Sequence, residues 1–104
     1  MHPLLAQHRT AVAELCRRHG VRRLDAFGSA VRGDDFDPTR SDVDALVEFG
    51  AEADDLGAFL DFKEALEVLL GRPVDLVERQ AVEASRNPIR RRRILGEAET
   101  LYAA

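Results

Sequence analysis

Cysteine and lysine are almost missing from this 104-residue chain, with Cys16 and Lys63 the single examples. One cysteine forms no internal disulfide, so a disulfide-stapled framework is excluded. Cys16 falls in an apolar helical stripe and reads as a small core residue. No apolar run is long enough to cross a membrane as a helix. The opening residues, Met1-His2-Pro3-Leu4-Leu5-Ala6-Gln7-His8, lack both the basic end and the apolar stretch of a targeting segment. Together these point to a reduced, soluble, cytoplasmic protein with no membrane partner. Positive charge is not in excess either: the net charge is −4, which argues against nucleic acid as the main partner. Internal repeats and low-complexity tracts are absent.

What is present suffices for one compact domain spanning residues 1–104, since 45% of the residues are apolar. Residues 3–19 place Leu4, Leu5, His8, Val12, Leu15 and Cys16 at helical spacing, and Gly20 closes that helix. Val21–Phe27 reads as a short strand, residues 30–32 as a helical turn, and residues 33–40 as a loop rich in Asp and Pro. Residues 42–49 form a second strand and Leu56–Leu70 the clearest helix, stopped by Gly71. Residues 73–78 are a third strand. The remainder, residues 81–102, is helical in character and interrupted at Asn87-Pro88, where Asn87 caps a last helix. This order predicts an α+β fold with α/β-like alternation, a small mixed sheet with helices packed on it.

The chemistry concentrates between Phe27 and Val47. Gly28 and Ser29 turn the chain after an apolar strand, offering backbone N–H groups and a hydroxyl to a phosphate. Asp42 and Asp44 stand two apart in a strand, so their side chains share a face. Two carboxylates that close repel each other unless a cation neutralises them, and hard divalent cations prefer carboxylate oxygens. Asp75 lies mid-strand in Pro73-Val74-Asp75-Leu76-Val77 and is the natural third. Phosphoryl and nucleotidyl transfer depend on charge neutralisation and in-line positioning, commonly by two metal ions about 3.5–4 Å apart.

Taken singly, each element has a blander reading. Asp42 can cap a turn, Asp44 can face solvent from an edge strand, and Asp75 can pair with Arg72 or another arginine. Ser29 after glycine is a common turn residue. Their joint order on the required element types favours chemistry. Arg90 to Arg93 is a run of four arginines, but consecutive helical residues point around most of the circumference. A solvated surface or contact with an acidic partner explains the run better than nucleic acid. His2, His8 and His19 have no metal-ligand spacing.

From Gly28 to Ala45 the chain resembles the signature of the DNA polymerase beta-like nucleotidyltransferase superfamily: an apolar residue, Gly-Ser, a spacer, then Asp-apolar-Asp-apolar. Arg32-Gly33 and the small size resemble its minimal members, the MNT-domain (MntA-type) antitoxins paired with HEPN-domain toxins. The resemblance covers residues 5–102. It implies a metal-binding pair at Asp42 and Asp44, a third carboxylate at Asp75, a triphosphate-holding turn at Gly28 and Ser29, and phosphate contact or loop support from Arg32. The spacer between Ser29 and Asp42 is slightly longer than in most minimal members, a length that the loop at residues 34–39 absorbs cheaply.

The implied activity is Mg²⁺-dependent transfer of AMP from ATP, with two Mg²⁺ ions on the three aspartates. Larger relatives carry further domains that hold the acceptor, whereas this chain is consumed by the core. The implied acceptor is therefore a partner, a HEPN ribonuclease toxin encoded nearby and modified on a hydroxyl such as that of tyrosine, as in a type VII-like toxin–antitoxin pair. Two alternatives stand: a steric antitoxin with a vestigial nucleotide site, and the catalytic subunit of a two-chain transferase acting on a small molecule or RNA.

Overall fold

The computed structural model describes residues 3–32, 42–51 and 55–104. The loop expected at residues 33–40, with Ser41 and the polar link at Asp54, lies outside them. In chain order the elements are α1 (Pro3–Gln7), α2 (Arg9–Arg18), β1 (Val21–Phe27), α3 (Ser29–Arg32), β2 (Val43–Phe49), α4 (Leu56–Leu70), β3 (Val74–Glu78), α5 (Arg79–Glu83), α6 (Pro88–Glu97) and β4 (Glu99–Ala103).

Local chemistry sets most of these boundaries. Asp55 caps α4 by accepting a 2.7 Å hydrogen bond from the Ala58 N–H. Gly71 ends the helix at φ 69°, in the left-handed region that glycine enters without penalty. Asn87 caps α6 as expected: its side-chain oxygen accepts from the N–H groups of Ile89 and Arg90 at 3.2 and 3.1 Å, with Pro88 in the first turn.

The sheet order is β3-β2-β1-β4, with β2 parallel to β3 and the other pairs antiparallel. Parallel pairing needs a crossover, and α4 supplies it. β2 lies inside the sheet, and each of its faces carries a core. Val43, Ala45 and Val47 join the main core with Val12 and Cys16 of α2 and Phe62 and Leu66 of α4. Leu46 joins a smaller core with Phe27, Val82 of α5 and Ile94 of α6. Among the described residues, no helix is long and apolar enough to cross a membrane.

Two sequence expectations are corrected. The helix expected over residues 3–19 is broken at His8, where the backbone N–H turns to the Leu5 carbonyl at 3.2 Å and the ring Nδ1 lies 2.9 Å from the Leu4 oxygen. That shorter i→i−3 bond tightens the turn and separates α1 from α2. The helical character expected through residue 102 ends at Glu97. Residues Glu99–Ala103 are instead a strand that pairs with the free edge of β1 and buries Leu101. Tertiary pairing overrides local helix propensity there.

Candidate active site

Strand parity places the acidic residues. In β2, Val43 and Ala45 point into the main core, so Asp44 points to the other face together with Leu46. Asp42 immediately precedes β2 and is exposed. In β3, Val74 and Leu76 enter the main core, which turns Asp75 to the side that Asp44 occupies. The parallel register sets Asp44 directly beside Asp75 and, on the opposite neighbour, Phe27 beside Asp44. Two strands thus contribute facing carboxylates beside the turn that ends β1.

That turn is shaped around Asp44. Gly28 adopts φ 74°, and a Cβ added there would lie 2.6 Å from Asp44 Oδ2. Any side chain at position 28 collides with the carboxylate. The Gly28 carbonyl accepts from the N–H groups of Val31 and Arg32, both at 3.1 Å, which closes α3. Ser29 opens α3 half-exposed on the same turn. Arg32 ends α3 and donates from Nη1 to both oxygens of Glu97, at 3.2 Å each.

Burial pushes the Asp44 carboxyl up to about 6, and the neighbouring charges of Asp75 and Asp42 add to the shift. A hydrogen bond with Asp75 favours the protonated form further, while the Arg32 guanidinium opposes it. The structure therefore brings Asp44 and Asp75 into contact and keeps Asp42 and Arg32 within electrostatic reach. Among the described residues, no three His, Cys, Asp or Glu side chains are already drawn into a ligand set. The donor chemistry nonetheless suits a divalent cation: a carboxylate pair that shares a proton can exchange it for a metal ion.

Two participants escape a sequence reading. Glu97, which holds Arg32, comes from α6 far along the chain and has no local signal. Asp25 is fully buried on β1 between Arg23 Nε, at 3.2 Å, and Arg79 Nη2 at the start of α5. Its signal was present, an aspartate inside the apolar run Leu24-Asp25-Ala26-Phe27. It is a salt-bridged support that ties α5 to β1 on the face bearing Asp44.

Residues 8–99 match the model of the nucleotidyltransferase domain family. Protein adenylyltransferase MntA of Thermococcus cleftensis is 45% identical over 71 residues, which span 68% of this chain and 69% of that protein. A solved structure provisionally described as a minimal nucleotidyltransferase superposes with a TM-score of 0.73 at 38% identity, covering 95% of each chain. The complex of the tri-AMPylated Shewanella oneidensis HEPN toxin with its MNT antitoxin contains a chain of the same fold. There the TM-score is 0.64 at 19% identity, covering 96% of this chain and 73% of that one. On the match across residues 8–99 and these relatives at 45% and 38% identity, the chain belongs to the nucleotidyltransferase domain family, in its minimal MNT form.

Proposed function

We propose that this protein is the antitoxin of a toxin–antitoxin pair and acts as a protein adenylyltransferase, moving AMP from ATP to a hydroxyl of its HEPN-type partner. The observation that carries the reading is the Asp44–Asp75 pair set face to face by the β2–β3 register beside the Gly28 turn. The 45% identity to a named protein adenylyltransferase supports the reaction class. The shared fold of the MNT antitoxin in complex with a tri-AMPylated HEPN toxin supports the partner.

In this reading Asp42, Asp44 and Asp75 hold Mg²⁺, two ions in all, which supplies charge neutralisation of the triphosphate when bound. The backbone at Gly28 and the Ser29 hydroxyl hold the triphosphate. Arg32, anchored by Glu97, adds positive charge at the mouth of the site. Asp75, the exposed member of the facing pair, accepts the proton of the attacking hydroxyl. The acceptor oxygen forms its bond to the α-phosphorus as the bond to the bridging oxygen breaks, and pyrophosphate leaves with that electron pair. A tyrosine of the partner is the proposed acceptor.

Incubating the purified chain with α-labelled ATP, Mg²⁺ and the protein encoded beside it tests the proposal. The expected result is covalent label on the partner, lost in Asp42→Asn/Asp44→Asn while the complex still forms. A double variant that neutralises the toxin fully without labelling it would make steric cover the better account.

A further inference from the structure

The exposed side of α6 is built differently from the rest of the molecule. Ile89 stands 80% exposed, and Arg86, Arg90 and Arg92 are exposed around it with no ion pair among the described residues. Arg93, 68% exposed, reaches only the Glu97 carboxylate at 3.5 Å. Arg91 alone turns inward, donating to the Ser85 carbonyl at 2.7 Å. Helical spacing puts Ile89, Arg92, Arg93 and Gly96 on one face. A Cβ at Gly96 would meet nothing within 4 Å, so the chain's own packing does not ask for glycine there.

This cationic, apolar-centred face looks to solvent, away from the side on which Ile94 packs, and it is the C-terminal end of α6 that approaches the candidate active site. That end is fastened to Arg32 through Glu97, and Arg32 acts electrostatically on Asp44. At 1.5 Å rise per residue, Arg90 lies about 10 Å along the helix from Glu97. A segment laid along α6 towards Glu97 therefore runs to Arg32, the residue that acts on Asp44.

We infer that α6 is the docking surface for an acidic segment of the acceptor protein, which brings the hydroxyl to be modified up to Asp44 and Asp75. This deepens the proposed function and rests on it in one respect, that the acceptor is a protein. Charge complementarity selects the occupant: unpaired guanidiniums bind carboxylates in bidentate fashion. Ile89 adds an apolar anchor at the centre of the patch, and Gly96 leaves room for close approach. An RNA strand fits less well, because α6 offers no aromatic ring for base stacking and the chain as a whole is negative at −4. The arginine roles are distinct: Arg32 serves the nucleotide side, while the exposed Arg86, Arg90 and Arg92 serve the acceptor side.

The test measures binding without nucleotide. Fluorescence anisotropy is recorded with three labelled probes: a Glu/Asp-rich peptide carrying one tyrosine, its Lys-rich counterpart, and a single-stranded RNA of similar length. The acidic peptide should bind the wild-type chain at least tenfold more tightly than either alternative. Arg90→Glu/Arg92→Glu should remove that preference, and Gly96→Trp should weaken it several-fold by filling the open space, with circular dichroism unchanged. Tighter binding of RNA, or acidic-peptide binding indifferent to both α6 variants, overturns the inference. Since no ATP is present, these outcomes stand apart from whether AMP is transferred.

Discussion

At the residue scale the site turns on the contact between Gly28 and Asp44. Gly28→Ala faces two costs together: a left-handed backbone, worth about 1–2 kcal/mol for a residue with a Cβ, and a methyl group 2.6 Å from Asp44 Oδ2. The expected outcome is a modest loss of stability in thermal unfolding with a far larger loss of AMP transfer, because the carboxylate has to move. Asp44 itself carries a pH signature. Its carboxyl is raised from 3.8 to about 6 in the folded protein, mainly by burial and then by Asp75 and Asp42. A raised folded value means that protonation favours the fold: the contribution is fully present below about pH 4 and is lost as pH rises through about 6. Metal-free protein should therefore unfold at lower denaturant as pH climbs across that window, and Asp44→Asn should flatten the slope. Identical slopes for both proteins would show that Asp44 is not the titrating group. The facing of Asp44 and Asp75 was legible in the sequence, because each aspartate alternates with core residues along its own strand; Asp42, just before β2, is not placed by that parity. Glu97 was not, since its meeting with Arg32 depends on where α6 docks.

At the element scale, helices with local punctuation were readable and elements defined by distant partners were not. Asp55 and Gly71 bracket α4, and Asn87-Pro88 opens α6, so both starts could be read from short-range chemistry. β4 follows α6 after one residue, and its identity comes from pairing with β1, far away in sequence. The break at His8 likewise rests on a backbone bond to Leu5 that no composition rule foretells. The α6 cap gives a prediction at this scale. Asn87→Ala strands two backbone N–H groups of the first turn and should cost about 1 kcal/mol, read as a lower urea midpoint at unchanged slope. Because Ile94 and the Glu97–Arg32 bond hang on the same helix, transfer activity should fall more than stability does. Asn87→Asp or Asn87→Ser, which keep an acceptor oxygen, should restore both.

At the scale of the whole molecule, the sheet separates labour: one face is covered by α1, α2 and α4 and builds the main core, while the other carries a small core, the aspartates and α6. The acidic side chains on that second face, in a chain of net charge −4, repel a bare nucleotide. ATP titrated by calorimetry at fixed ionic strength should bind at least about tenfold more tightly with Mg²⁺ than with a chelator, a difference of about 1.4 kcal/mol. Asp42→Asn/Asp44→Asn should narrow that gap; equal affinities in wild type would detach the carboxylates from the nucleotide. The parallel register between β2 and β3 has a further consequence. Asp44 and Asp75 are strangers until the α4 crossover has folded and β3 has found its place at the sheet edge. A slip of one residue turns Asp75 to the opposite face, and a slip of two leaves it opposite the wrong neighbour. The facing pair is thus a checksum on topology: half-made or misregistered chains do not assemble it. Edge strands open before the centre of a sheet does, so warming should extinguish the pair's chemistry while the rest of the molecule is still intact.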